Sequence, residues 1–284
     1  MYKRQGLLLL GLGQLPLRTS IAPGDYQLTV LDVGQGLSVV VQTQNHTLVY
    51  DTGAAYPSGF NLADAVILPY LREQGVTTLS MLMLSHGDND HDGAASALVA
   101  RIPVHEVLAG EPERTPLSAK PCVAGQTWTW DGVEFSVLQP GLVRPAVSNN
   151  ASCVVQIRNA AGATLLTGDI KAQVERRLVP KVAPEAPYQV VVAAHHGSLS
   201  SSSPAFIQAV QAHHVVYPVG ALNRYGFPKA EVVARWHASG AQGWRTDQTG
   251  AIAWLFQHTG TLAGPTVYRH ARKRYWHQSN ITLD

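Results

Sequence analysis

Within Ser85-His86-Gly87-Asp88-Asn89-Asp90-His91-Asp92-Gly93, two imidazoles and three carboxylates fall in seven consecutive positions, His86 to Asp92. Carboxylates packed this closely repel one another unless a cation neutralises them. Imidazole combined with carboxylate suits zinc, manganese or iron better than calcium or magnesium. The segment therefore reads as a loop for one divalent ion, or two. An EF-hand would also use Asp88, Asp90 and Asp92 with Gly93, but it needs a bidentate Glu at its twelfth position, where Val99 stands. It needs an incoming helix as well, whereas Met81-Leu82-Met83-Leu84 before the loop reads as a buried strand. The bland alternative is a solvated acidic turn.

Three further places set polar groups at the margin of an apolar run. Leu165-Leu166-Thr167-Gly168-Asp169 ends on a carboxylate, and Val191-Val192-Ala193-Ala194-His195-His196-Gly197-Ser198 ends on two imidazoles. Asn149-Asn150-Ala151-Ser152 precedes another apolar strand. Singly, a Gly-Asp turn is usually a turn and paired histidines are usually surface residues. Jointly, they describe a scaffold that converges ligands from the strand ends of one sheet edge.

The elements that must do this positioning are short. Strands are expected at Tyr26 to Val33, Leu37 to Thr43, His46 to Asp51 and Leu79–Leu84, with Gly34-Gln35-Gly36 and Gln44-Asn45 as turns. Residues 62 to 74 carry an apolar helical face, interrupted by Pro69, which predicts a kink. A small-residue helix follows the loop from Asp92 to Ala100. The second half repeats the style, with strands near Thr127–Trp130, Val133–Leu138, Cys153–Ile157, Thr164–Leu166, Gln189–Ala194, Val215–Val219 and Ala251–Phe256. Helices are expected at Lys171–Leu178 and Lys229–His237, and a surface loop at 111 to 121. Strand sets with helices in both halves imply an α/β fold of two packed sheets with helices outside.

At 284 residues, with 45% hydrophobic and 14% charged residues, the chain has the makings of one large, well-cored domain and is not disordered. A net charge of +2 gives no global attraction to nucleic acid, so any such contact must be local. The one basic cluster, at the C-terminus, is Arg269, Arg272, Lys273 and Arg274 interleaved with Tyr275 and Trp276, a mixture that suits single-stranded nucleic acid. Arg224 and Lys229 could extend it; the alternative is a last strand with solvated charges. Leu7-Leu8-Leu9-Leu10 is too short to span a bilayer and reads, with the rest of residues 1–24, as the end of a membrane segment and linker ahead of a domain at 25–284. Cys122 and Cys153 lack CxxC spacing, which argues against a thiolate metal site. Outside the cytoplasm they could form a disulfide.

Asp51-Thr52-Gly53, His86-x-Asp88-x-Asp90-His91, Thr167-Gly168-Asp169 and His195-His196-Gly197-Ser198 resemble the metallo-β-lactamase superfamily. More narrowly, Leu31-Asp32-Val33-Gly34-Gln35-Gly36 and Asn223-Arg224-Tyr225-Gly226 resemble the C-terminal domain of the ComEC family of DNA-uptake proteins, from about Tyr26 to about Trp276. The resemblance implies a single-domain, four-layer αβ/βα sandwich with one or two divalent ions, manganese or zinc, at the strand ends. It assigns Asp90, His91 and His195 to one ion, His86 and Asp88 to the other, and Asp169 as a bridge. It makes Asp90 and His196 catalytic, the first orienting the attacking water and the second contacting the scissile phosphate or protonating the leaving oxygen. Asp51 would orient the loop from behind, and Ser198 opens a serine run whose hydroxyls could reach phosphate.

The chain departs from the family in three ways. Asp88 stands where the superfamily usually has His, which favours a harder ion. A further His expected between the loop and Asp169 is missing, and Asn150 and Ser152 occupy that stretch. Phe227 stands where many relatives carry His, which leaves open whether His195 or His196 is the last ligand. The resemblance implies a metal-dependent DNA phosphodiesterase that degrades the non-transported strand during transformation. The partners would be DNA, preferably single-stranded, and the membrane channel portion of a parent protein. The domain would lie on the periplasmic side. The rivals are a hydrolase of a small ester or phosphodiester and a degenerate, non-catalytic DNA-binding domain.

Overall fold

The structure, a computed structural model, describes residues 21–139 and 148–271. The expected membrane remnant before Ile21, and Arg272, Lys273, Arg274, Tyr275 and Trp276 of the basic cluster, lie outside the described residues. The first six strands are β1 (Tyr26–Val30), β2 (Val39–Gln42), β3 (Thr47–Tyr50), β4 (Met81–Leu84), β5 (Val107–Ala109) and β6 (Lys120–Pro121). The next seven, β7 (Thr127–Trp130), β8 (Val133–Gln139), β9 (Val154–Asn159), β10 (Gly162–Leu166), β11 (Tyr188–Val192), β12 (His214–Tyr217) and β13 (Gln242–Arg245), build a second sheet. The last two, β14 (Ile252–Phe256) and β15 (Leu262–Val267), return to the first, in the order β15-β14-β1-β2-β3-β4-β5-β6. The second sheet runs β13-β12-β11-β10-β9-β8-β7.

Period-two alternation sorts these side chains into layers. Val39 and Val41, Leu48 and Tyr50, and Met81 and Met83 face the other sheet, where they meet Phe135, Val137, Val155, Ile157, Val190 and Val192. Their neighbours Val40, Val49, Leu82 and Leu84 face outward onto Ile67, Leu71 and Leu98 of the first sheet's helices. On the far side, Val174, Leu178 and Val182, spaced four apart, seat the helix Ala172–Val182 against Val191 and Leu165. The result is the four-layer αβ/βα sandwich.

Both sheets are mixed. β3, β4 and β5 run parallel, as do β10, β11, β12 and β13. Strands buried on both faces read as continuous apolar runs, which is why Met81–Leu84 and Val190–Val192 are legible in the sequence. Pro69 is the second residue of the α-helix Leu68–Glu73, which continues directly from a π-helical turn at Ala63–Ile67, so the helical pattern changes at the proline. The helix Ala172–Val182 runs past the expected end at Leu178 and carries Pro180 inside it. Cys122, just past β6, is disulfide-bonded to Cys153, just before β9, with Cα atoms 6.0 Å apart.

Candidate metal centre

Every expected ligand follows the C-terminal end of a strand within or beside the parallel sets. Asp51 follows β3, the acidic loop follows β4, Asp169 follows β10 and the His pair follows β11. Asp51 sits in a left-handed backbone conformation (φ 60°) that turns its carboxylate under the loop. Its Oδ1 accepts the Ser85 N–H at 2.6 Å, while its Oδ2 accepts the Ser85 hydroxyl at 2.7 Å and the His91 Nδ1–H at 2.7 Å. With Nδ1 so engaged, His91 presents Nε2 to the site. The loop is clamped from the other side by Gly36, where a Cβ would stand 2.6 Å from the Asp90 carbonyl oxygen.

His91 Nε2 lies 3.1 Å from Asp169 Oδ1 and 3.2 Å from His196 Nε2. His196 Nε2 is also 3.4 Å from Asp90 Oδ2 and 3.5 Å from Asp169 Oδ1. Among the described residues, donor atoms within 4.8 Å of one another form two groups: His86, His91 and Asp169, and Asp90, His91 and His196. His91 belongs to both. His86 Nε2 is buried without a hydrogen-bond partner, 3.4 Å from Asp88 Oδ2. An orphaned imidazole nitrogen among carboxylates is a donor set that fits a divalent cation.

The charges agree with that reading. Burial works against ionisation of Asp169, yet His196 and His91 hold its carboxyl well below the usual range. Burial likewise disfavours the charged forms of His91 and His196, but Asp169 with Asp51 raises the first and Asp169 with Asp90 raises the second. Asp90 is lowered by His196 and His91 against the effect of burial. The carboxylates thus favour positive charge at this point, the place that a metal's charge would take. Asp92, in contrast, is pushed up to about 6 by burial and by Asp51, the repulsion expected of crowded carboxylates.

The structure separates the two adjacent histidines. His196 is buried, donates Nδ1–H to the Pro218 carbonyl at 2.8 Å and aims Nε2 into the cluster. His195 is the more exposed, with Nδ1 3.0 Å from the Ser200 hydroxyl and Nε2 3.7 Å from Asp169. Burial lowers its pKa, against the pull of Asp169.

In the stretch lacking the extra His, Asn149 rather than Asn150 faces the site, its Nδ2 donating to Asp169 Oδ2 at 3.4 Å. Asn150 Oδ1 caps the Lys171 N–H at 3.1 Å. Ser152 Oγ accepts the Asp169 N–H at 3.0 Å and lies 3.4 Å from His86 Nδ1. The serine run is not a free polar loop: Ser202 and Ser203 give their N–H groups to the buried Glu175, and Ser201 Oγ bonds the Ile170 carbonyl. Ser198 Oγ instead meets Ser200 Oγ at 3.1 Å, beside His195.

Of the expected cationic residues, Arg224 is exposed on the loop after β12. Arg269 is partly exposed but engaged within the chain, on Asp32 Oδ2 at 3.0 Å and the Asp247 carbonyl, so it is not a free cation. Glu111 and Arg114, in the stretch expected to be a surface loop, also belong to the site. Glu111 is 2% exposed and accepts Gly87 N–H, Ser148 N–H and Arg114 Nη1 at 3.0, 2.7 and 2.7 Å. Arg114 Nη2 reaches Asp88 Oδ1 at 3.0 Å. After the contact with His86 and against the effect of burial, this bond helps hold Asp88 below its usual range. No short motif announces the pair; its signal is an acid and a base three apart in a loop otherwise read as solvated.

The chain is similar to Competence protein ComA of Neisseria gonorrhoeae, with 39% identity over 261 residues, which is 92% of this chain and 37% of that protein. It is also similar to Recombination protein 2 of Haemophilus influenzae, with 34% identity over 221 residues, which is 75% of this chain and 26% of that protein. It thus spans between about a quarter and two fifths of the length of these curated relatives. Among solved structures, the metallo-beta-lactamase fold protein YhfI from Bacillus subtilis superposes with a TM-score of 0.52 at 12% identity, covering 81% of this chain and 99% of YhfI. The family model described as Metallo-beta-lactamase superfamily matches residues 31–220, more than half of the sequence: the chain belongs to that superfamily.

Proposed function

We propose that this chain is a metal-dependent phosphodiesterase domain acting on DNA, and that it degrades the non-transported strand during DNA uptake. The observation that carries the reading is the shared position of His91 in two donor groups at the parallel strand ends of a metallo-hydrolase fold. Its similarity to proteins named for competence supports the biological setting. His86, Asp88 and Asp169 would hold one manganese or zinc ion, and Asp90, His91, His196 and Asp169 a second. Metal held there supplies Lewis acidity toward a phosphoryl oxygen. Asp51 keeps the His91 ring and tautomer fixed, and Pro218 does the same for His196. His195 takes the substrate-facing role first assigned to His196: its ring is partly exposed beside Asp169, placed to contact the scissile phosphate or protonate the leaving oxygen.

No helix among the described residues is long and apolar enough to cross a membrane, and an extracytoplasmic position beside a channel portion is part of this proposal. A non-catalytic DNA-binding reading draws on Asn149 in place of a further His and on Arg114 occupying Asp88. Hydrolysis of labelled single- and double-stranded DNA, metal-free and with manganese, zinc or magnesium, tests both. Cleavage that requires metal and disappears in an Asp90→Ala/His91→Ala double variant is the expected result. DNA retention without cleavage under any metal would favour the binding domain instead.

A further inference from the structure

The loop leading from β12 to the helix Ala230–Ala238 is built more firmly than a connection needs. Asn223 braces it from inside: Oδ1 accepts the Phe227 N–H at 2.9 Å, and Nδ2 donates to the carbonyls of Gly220 and Phe227 at 3.0 and 2.8 Å. Lys229 Nζ donates to the Tyr225 carbonyl at 2.6 Å. At its stem a Cβ on Gly220 would stand 2.6 Å from the Gln35 nitrogen, so the loop is seated on the Gly34-Gln35-Gly36 turn that also clamps Asp90.

On this frame the planar groups are ordered from solvent inward. The exposed Arg224 guanidinium lies 4.9 Å from the Tyr225 ring centroid and bonds its hydroxyl at 2.7 Å. Tyr225, itself exposed, stacks on Phe227 with centroids 5.5 Å apart and planes inclined 16°. Phe227 in turn stacks on His196 at 6.4 Å and 21°, and meets His195 edge-on at 5.7 Å. Lys229 Nζ lies 5.5 Å from the Phe227 centroid. Leu222, at the tip, is a fully exposed apolar residue in a left-handed conformation (φ 53°), a combination that packing inside the domain does not reward.

We propose that Arg224 and Tyr225, backed by Phe227, form the outer rungs of a stacking ladder for the bases flanking the scissile phosphate, which makes single-stranded nucleic acid the substrate form of this site. The inference deepens the nuclease reading and rests on it. Aromatic rings and guanidinium planes take unpaired bases from any sequence, and the neighbouring cations follow the backbone. Bases in a duplex already stack on one another and cannot enter such a ladder unless unstacked. A lipid surface would also meet Leu222, Tyr225 and two cations. The run of near-parallel rings inward to His196, rather than a set of outward apolar points, favours bases.

The test is fluorescence anisotropy of the full chain in chelator, so that no hydrolysis occurs. The probes are labelled oligothymidylate and an abasic strand of equal length and charge, with anionic phospholipid vesicles as the lipid arm. Tyr225 is exposed, so Tyr225→Ala should fold; thermal melting and metal content check that it does. The intact chain should bind the oligothymidylate about tenfold or more tighter than the abasic strand. Tyr225→Ala should remove that difference while leaving abasic binding in place, and Tyr225→Trp should restore it. Equal binding of both strands by the intact chain, equal loss on both in Tyr225→Ala, or a loss confined to vesicles would overturn the ladder. Base-dependent binding without metal-dependent cleavage would sink the nuclease reading alone. Cleavage without base dependence would sink the ladder alone.

Discussion

Two oxygens of Asp51 satisfy three donors in Ser85 and His91, so one side chain sets both the course of the loop and the direction of the His91 ring. Asp51→Asn should weaken metal binding by about 10- to 100-fold with the fold intact, as read by metal titration and circular dichroism. Unchanged affinity would mean that the loop holds its shape without Asp51. The raised His91 and His196 also carry a pH consequence. Their protons must leave when metal binds, so affinity should climb as pH rises through and above the ordinary histidine range. Calorimetry in buffers of different ionisation enthalpy should show proton release; heats that do not depend on the buffer would contradict this. Asp51, Asp90, His91 and Asp169 were legible because each lies in a short motif at the end of an apolar run. Which of His195 and His196 faces the cluster was not, because the Pro218 carbonyl that orients His196 comes from the end of a different strand, β12. Glu111 and Arg114 were invisible for the same reason, since only tertiary contact brings them to the loop, and the Asn149-Asn150 pair did not reveal which amide faces Asp169.

At the scale of elements, the site depends on close approaches between turns. Gly36 has φ +145° and no room for a Cβ beside Asp90, whereas Gly34, also at positive φ, has nothing within 4 Å. Gly36→Ala should therefore lower stability by about 2 kcal/mol or more and loosen the metal loop, against about 1 kcal/mol for Gly34→Ala. Denaturant midpoints decide it: equal losses would reduce the Gly36 effect to backbone strain alone. The buried parallel strands were readable as apolar runs, and Thr127–Trp130 was placed to the residue. β13 (Gln242–Arg245) was not, because an edge strand with half its residues in water lacks the apolar signal. The helix Pro204–Val210 was hidden behind a serine run whose hydrogen bonds to Glu175 only the fold reveals.

Across the whole molecule, the two sheets are tied through Asp131, in the turn between β7 and β8. Its carboxylate accepts from the Thr43 hydroxyl at 2.6 Å, Asn45 N–H at 2.8 Å, Asn45 Nδ2 at 2.9 Å and His46 Nδ1 at 3.0 Å in the turn between β2 and β3. Burial opposes the charge, but these donors outweigh it and hold the carboxyl below its usual range. A depressed acid stabilises the fold fully above its unfolded pKa, about 3.9, and loses that contribution as pH falls through the folded value. Asp131→Asn should thus cost about 1 kcal/mol near pH 7, with the gap to the unaltered chain closing below pH ~4. A gap that persists there would assign the clamp to packing rather than charge. The same sandwich sets the parallel strand ends of both sheets face to face, so Asp169 and His196 from one meet His91 and Asp90 from the other. The most direct test of a metal centre at that seam is equilibrium metal binding to the intact chain and to His91→Ala. Because His91 offers its one free nitrogen, Nε2, to the position shared with Asp90, Asp169 and His196, its loss should empty that position, leaving a folded chain that retains clearly less metal through dialysis. A His91→Ala chain that keeps its full metal content would contradict the account.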